Sequence, residues 1–251
     1  LACVLAWGGT ANAQDTEAFL QAWQRAQRLE VRGAVESSVF FPPRDRATRR
    51  APALPRVEFL PQLVRRNFDV QAFAPEPVAG RETVRYDLIP KNGAAGRWSV
   101  WLDAQWNVPL AFEERTPDGD LVRRAAFTRV DAPPQPRPPS RRAKPANAAL
   151  KGALARALPG LELPARFEPV QARAHPRGPE VVLSDGVNVL ALVVTTRPVR
   201  PAPGVAVRRV GKRYLWLVGN LPNGQLERAL AGVQDVQPGA LSDWGPDGEA
   251  P

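Results

Sequence analysis

Along this chain, apolar residues recur in two periods, and the period changes where the elements change. From Asp15 to Glu30 the spacing is three to four: Phe19, Ala22, Trp23, Ala26 and Leu29 share one face of a predicted amphipathic helix. Asp15 or Thr16 supplies its cap. Val31–Phe41 reads as a strand, stopped by Pro42 and Pro43, which have no N–H to give to a ladder. Arg44–Arg56 carries five arginines and little apolar content, so a solvated loop is expected. Val57–Val64 reads as a short helix or irregular segment, and Asn67–Phe73 as a further strand.

In the centre the period drops to two. Val84, Tyr86 and Leu88 alternate in Thr83–Ile89. Trp98, Val100 and Leu102 share one side of Arg97–Leu102, with Trp101 on the other. A turn at Asp103–Asn107 leads into Val108–Arg115, which places Val108, Leu110 and Phe112 on one face. Thr116-Pro-Asp-Gly-Asp120 is a hairpin turn, and Leu121–Val130 closes an antiparallel meander.

Asp131–Pro145 is rich in proline and reads as an extended spacer. Beyond it come a short helix, Ala146–Leu158, and a strand, Arg166–Ala174. Two hairpins follow, one around Ser184-Asp185-Gly186 and one around Gly211-Lys212. Val187–Thr195 is apolar on both faces and is expected at the centre of its sheet. Pro222 opens a helix over Asn223–Val233, with Leu226, Ala229, Leu230 and Val233 inward. The last fifteen or so residues are expected to fray. The domains implied are 14–131, a linker 132–145, a smaller domain 146–235 and a tail 236–251. The fold class is α+β with antiparallel sheets.

The first residues change the setting. Leu1–Trp7 resembles the end of an apolar leader core, and Ala11 and Ala13 form an A-x-A cleavage site. A mature start near Gln14 is expected, so 1–13 is read as a signal-peptide remnant and the protein as periplasmic or extracytoplasmic. That cut removes Cys3, the only cysteine, and leaves no disulfide. No later apolar run approaches the roughly 20 residues a membrane helix needs.

Charge adds less. Of 34 basic residues four are lysine, so thirty are arginine, and the net charge is +9. A GC-rich genome explains much arginine; attraction to anionic partners is the functional reading. Nucleic acid is not expected, because no aromatics interleave the basic runs Arg44–Arg56 and Arg137–Lys144.

Catalytic chemistry finds no support. His175 is the single histidine, and neither a nucleophile network, a phosphate loop, a zinc set nor a calcium loop is present. Glu113 and Glu114 face opposite ways in a strand, and Asp118 and Asp120 belong to a turn. No cofactor and no metal are expected. Seven tryptophans point instead to packing or to an amphipathic wall for acyl chains or a partner segment.

Several weak motifs, in order, resemble the MucB/RseB family, periplasmic regulators of an envelope-stress sigma factor. The first half carries Phe59-Leu-Pro-Gln-Leu-Val64, the strand Arg81–Ile89, W-S-V-W-L-D from Trp98, V-P-L from Val108, D-G-D from Asp118 and F-T-R-V from Phe127. The second half carries Leu183-Ser-Asp-Gly-Val-Asn-Val-Leu190, Gly211–Leu217 and Gly219-Asn-Leu-Pro222 before a helix. The resemblance implies an open antiparallel half-barrel wrapped on a helix, like the lipoprotein carriers LolA and LolB, followed by a small α/β domain. It implies a non-enzymatic protein that grips the extracytoplasmic part of a membrane anti-sigma factor and shields it from proteolysis. Lipid or an acylated lipoprotein would release that partner. The short Pro42–Pro55 stretch implies a smaller first domain and a reduced lipid pocket.

Candidate lipid- or partner-binding residues are Trp98, Trp101, Trp106, Leu110, Phe112 and Phe127. In the second domain they are Asp185, Tyr214 and Trp216. Two alternatives stay open: a periplasmic carrier or sorting protein for lipid or lipoprotein, and a structural envelope protein without a small ligand. The oligomeric state is not set by any of these features.

Overall fold

The computed structural model describes residues 9–40, 48–92, 95–137, 148–175 and 178–241. They fall into two compact units, Leu1–Ser140 and Arg141–Pro251.

The first unit opens with helix α1, Gly9–Ala26. It begins and ends earlier than its apolar stripe predicts. Leu29–Glu30 leaves the helix as a two-residue strand, β1, paired with Gln135–Pro136. Next come β2 (Gly33–Val39), β3 (Thr48–Ala51), α2 (Pro61–Asn67), β4 (Phe68–Val78), β5 (Arg81–Pro90), β6 (Arg97–Asp103), β7 (Pro109–Arg115) and β8 (Leu121–Val130). They form one antiparallel sheet in the order β3-β2-β8-β7-β6-β5-β4. Its two ends are not paired with each other, so the sheet is open, as the alternation and the resemblance imply.

Two segments differ from expectation. Thr48–Ala51 is an edge strand on β2 rather than loop; its arginines Arg49 and Arg50 lie exposed, where an edge tolerates charge. Residues 41–47 of that expected loop lie outside the described residues. Gln135–Pro136 (β9) is pinned to β1, and Arg137 N–H donates to Arg28 O at 2.8 Å, so the start of the proline-rich stretch is ordered.

The sheet's inner face follows from register. Trp98 pairs with Leu88, Val100 with Tyr86 and Phe112, and Phe112 with Ala125. Against this face lie Phe19, Leu20, Ala22, Trp23 and Ala26 of α1, all buried.

The second unit contains α3 (Ala148–Ala157), β10 (Glu168–His175), β11 (Gly178–Ser184), β12 (Val189–Thr195), β13 (Val205–Val210), β14 (Arg213–Gly219) and α4 (Asn223–Ala231). The sheet order is β10-β11-β12-β14-β13, with β12 central, as its two-sided apolar pattern predicts. Leu183, Leu190, Leu192, Val194, Leu215 and Leu217 pack its core. The segments that follow α3 and α4 meet where Gly160 (φ 83°) lies against the Gly232 carbonyl; a Cβ at either glycine would collide with the other's backbone. Gln237 N–H donates to Ala157 O at 2.8 Å, and Pro238–Leu241 forms a 3-10 turn with Leu241 buried, so the expected fraying does not begin at 236.

Candidate partner-binding surfaces

The apolar candidates of the first unit divide by strand parity. Trp98, Leu110, Phe112 and Phe127 are buried, each at most 3% exposed. A relay of rings crosses the inner face. Trp98 lies 5.6 Å from Phe112, and Phe59 meets Trp98 edge-on at 5.7 Å. Phe59 then meets Trp23 at 4.4 Å and Phe19 at 5.5 Å, and Phe19 reaches Tyr86 at 5.4 Å. Such offset and edge-on contacts add about 0.5–1.5 kcal/mol per pair to burial. The stretch of inner face that Trp98 and Phe112 line is therefore occupied by the protein's own rings. Arg123 closes its rim, 4.8 Å above the Trp98 ring and ion-paired with the buried Glu114. Phe19, Trp23 and Phe59 were not among the sequence candidates; the i, i+4 spacing of Phe19 and Trp23 on α1 is the signal that carries two of them.

The phrase from Trp101 to Leu110 builds a clip. Asp103, 1% exposed, accepts from the Gln105 and Trp106 backbone N–H groups at 3.0 and 2.7 Å. Arg81 Nε donates to its Oδ2 at 2.5 Å, and the same guanidinium sits 3.3 Å over the Trp106 ring. Asn107 takes φ 54°, which asparagine tolerates, and Val108 O accepts from Asp103 N–H at 2.8 Å. Trp106 is thus one side of a turn-fixing stack.

Trp101 faces the opposite side of the sheet from Trp98, as alternation predicts. Its Nε1 donates to Glu76 Oε2 at 2.9 Å, and Arg85 bridges Glu76 at 2.8 Å and Asp87 at 3.2 Å while covering the Phe73 ring. Trp101 and Trp98 therefore cannot line one concave wall.

In the second unit, Asp185 is held inside the β11–β12 turn. Its carboxylate accepts from Val187 N–H at 3.0 Å, Asn188 N–H at 2.8 Å and Asn188 Nδ2 at 2.8 Å. Burial pushes its pKa above the ordinary aspartate value, and these donors only partly offset that. At 1% exposure it shapes a turn and does not reach a partner, a correction to its place among the binding candidates. Trp216 is 5% exposed, on the sheet face opposite Leu215 and Leu217. Tyr214 is half-buried near the β13–β14 tip, with Arg209 5.9 Å from its ring.

The described residues hold no group of three or more histidine, cysteine or carboxylate side chains able to bind a metal. No described helix is long and apolar enough to cross a membrane.

No protein-family model matches the sequence, and no curated protein matches it. Solved structures do. A crystal structure of MucB matches with TM-score 0.59 at 16% identity, over 88% of this chain and 98% of that one. The chain has a MucB-like fold. MucB in complex with MucA(peri) matches with TM-score 0.59 at 16% identity, over 89% and 100% of the two chains. The Pseudomonas aeruginosa MucA/MucB complex matches with TM-score 0.58 at 16% identity, over 89% and 99%. The likeness to MucB spans both units, since neither unit fits in the uncovered remainder.

Proposed function

We propose that this protein is a non-enzymatic regulator of the envelope that binds the extracytoplasmic part of a membrane anti-sigma factor and protects it from proteolysis. The supporting observation is the MucB-like fold across both units, matched in structures that contain MucA bound to MucB. A periplasmic setting and removal of residues 1–13 belong to the same reading. Trp101, Trp106 and Tyr214 keep partial exposure and are the candidates within a partner's reach.

A lipid or lipoprotein that releases the partner would act by linkage: it weakens the partner by the same factor by which the partner weakens it. The carrier reading, with an acyl chain resting on Trp98 and Phe112, is disfavoured. Phe59 already packs edge-on against Trp98 and is held in turn by Phe19 and Trp23, so a ligand there would have to displace Phe59.

The test is titration of the full chain with the exported region of the anti-sigma factor from the same genome. A dissociation constant on the order of 1 μM or tighter is expected, about −8 kcal/mol. Slower proteolysis of that region should accompany it. Absence of binding at about 100 μM would overturn the reading.

A further inference from the structure

The seven- and five-stranded sheets are open, so each offers two edge strands whose outward N–H and C=O groups can template another chain. Three of the four edges are blunted. The β4 edge carries Pro75 and Pro77, its Ala72 N–H is taken by Asp15 Oδ2 at 3.0 Å, and its Phe68 N–H by Val64 O. The β3 edge is four residues long. The β10 edge carries Pro169 and a bulge between Pro169 and Gln171.

The fourth edge is β13, Val-Ala-Val-Arg-Arg-Val, with no proline and an unbroken register to β14. Gly219 N–H donates to Gly204 O at 2.9 Å, which fixes the ladder's phase. Residues Ala206, Arg208 and Val210 therefore point their backbone groups at β14, while Val205, Val207 and Arg209 point theirs outward. Val205 is satisfied within the turn Ala202–Val205, through Ala202 O at 2.9 Å. Among the described residues, nothing takes up the outward groups of Val207 and Arg209.

Charge selects what fits there. The hairpin Val205–Gly219 contains Arg208, Arg209, Lys212 and Arg213 and no carboxylate. A second copy pairing antiparallel through Val207 and Arg209 would set Arg208 directly opposite Arg208, which is destabilising. An acidic strand meets no such penalty.

We propose that an extended, acidic segment of a protein partner docks on β13 and continues the second sheet as a sixth strand. This deepens the protein-binder reading and rests on it. The partner's backbone bonds to Val207 and Arg209, its carboxylates lie on the face of Arg209, and its alternate small apolar side chains lie on the other face, beside Ala206 and Val210, where Arg208 Nε donates to Val233 O. Backbone pairing supplies affinity and the flanking side chains supply selectivity.

Val207→Pro is the selective probe, because the N–H it removes points outward and is not part of the ladder. The full chain is titrated with a labelled peptide, acetyl-Thr-Glu-Val-Glu-Val-Glu-Thr-amide. Binding by wild type is expected, with protection of the Val207 and Arg209 amides from hydrogen exchange. V207P should lose at least tenfold in affinity, and so should a peptide with proline at its centre. R209E, which keeps the backbone intact, should also lose about tenfold and covers the case that V207P fails to fold. Equal binding by V207P or by the proline peptide overturns the proposal, since charge alone would then suffice. No protection of the two amides at millimolar peptide overturns it as well. Self-association of wild type that V207P relieves assigns the edge to a second copy and likewise overturns it. The anti-sigma region is tested beside the peptide. If it binds wild type and V207P equally, the edge falls and the binder reading stands; if only the peptide binds wild type, the edge stands and that reading falls.

Discussion

The seven-stranded sheet buries its inner face under α1 and a relay of aromatic rings, whereas the five-stranded sheet buries its helix-covered face with leucine and valine. Their margins differ too. The larger sheet covers its long edge strand with prolines and a capping aspartate; the smaller leaves the six residues of β13 regular and basic. The first unit spends the rings of Phe19, Trp23, Phe59, Trp98 and Phe112 on its own interior, and the second keeps a margin that no described residue covers. In a protein read as a binder, the place to seek the partner moves from the wall of rings to that margin.

The largest expected effect lies in the ring relay. Trp98→Ala should cost the first unit about 3–5 kcal/mol, as removal of a buried tryptophan does. Calorimetry should show the first unit's transition falling while the second's stays. A common shift of both transitions would show that the two units unfold as one and would break the comparison.

A smaller effect distinguishes the second unit. The folded pKa of Asp185 is raised by burial, so the folded state holds its proton to higher pH than the unfolded chain. Its contribution is present in full below the unfolded pKa and is lost as pH rises through the folded one. Asp185→Asn should flatten that acid-side slope in urea unfolding of the second unit and stay within about 1 kcal/mol of wild type at neutral pH. An unchanged slope would assign it to another group.

The smallest effect on stability is expected at the blunted edge. Pro75→Thr with Pro77→Thr should change unfolding by under about 0.5 kcal/mol. It should nevertheless promote self-association by restoring two edge N–H groups. Sedimentation velocity would detect it, and a strictly monomeric double variant would show that the prolines do not guard β4.

Much of the architecture was legible because burial imposes a period. Val84-Tyr86-Leu88 and Trp98-Val100-Leu102 gave both strands and their inner faces, and the apolar run of β12 gave its central place. Thr48–Ala51 escaped because an exposed edge strand needs no apolar alternation, and Arg49 and Arg50 look like loop. Gln135–Pro136 escaped because two residues have no period. The site was less legible. A tryptophan that lines a ligand and one that fills a core share the same parity, and only the position of Phe59, outside any periodic segment, separates them for Trp98. Asp185 misled because a turn-forming aspartate and a surface aspartate look alike until its burial is known.

The pairing of β2 with β8 also governs when this protein can fold. Val35 lies beside Phe127, and Leu29 beside Pro136, so strands from the two ends of the first unit close it at its neck. Contacts between such distant residues must wait on loop closure and slow folding. A chain delivered from its N-terminus holds α1 and β2 ready long before β8 arrives. During that interval Phe19, Trp23 and Val35 lack the completed sheet, and the emerging protein is itself a client for whatever shields apolar surface along its route.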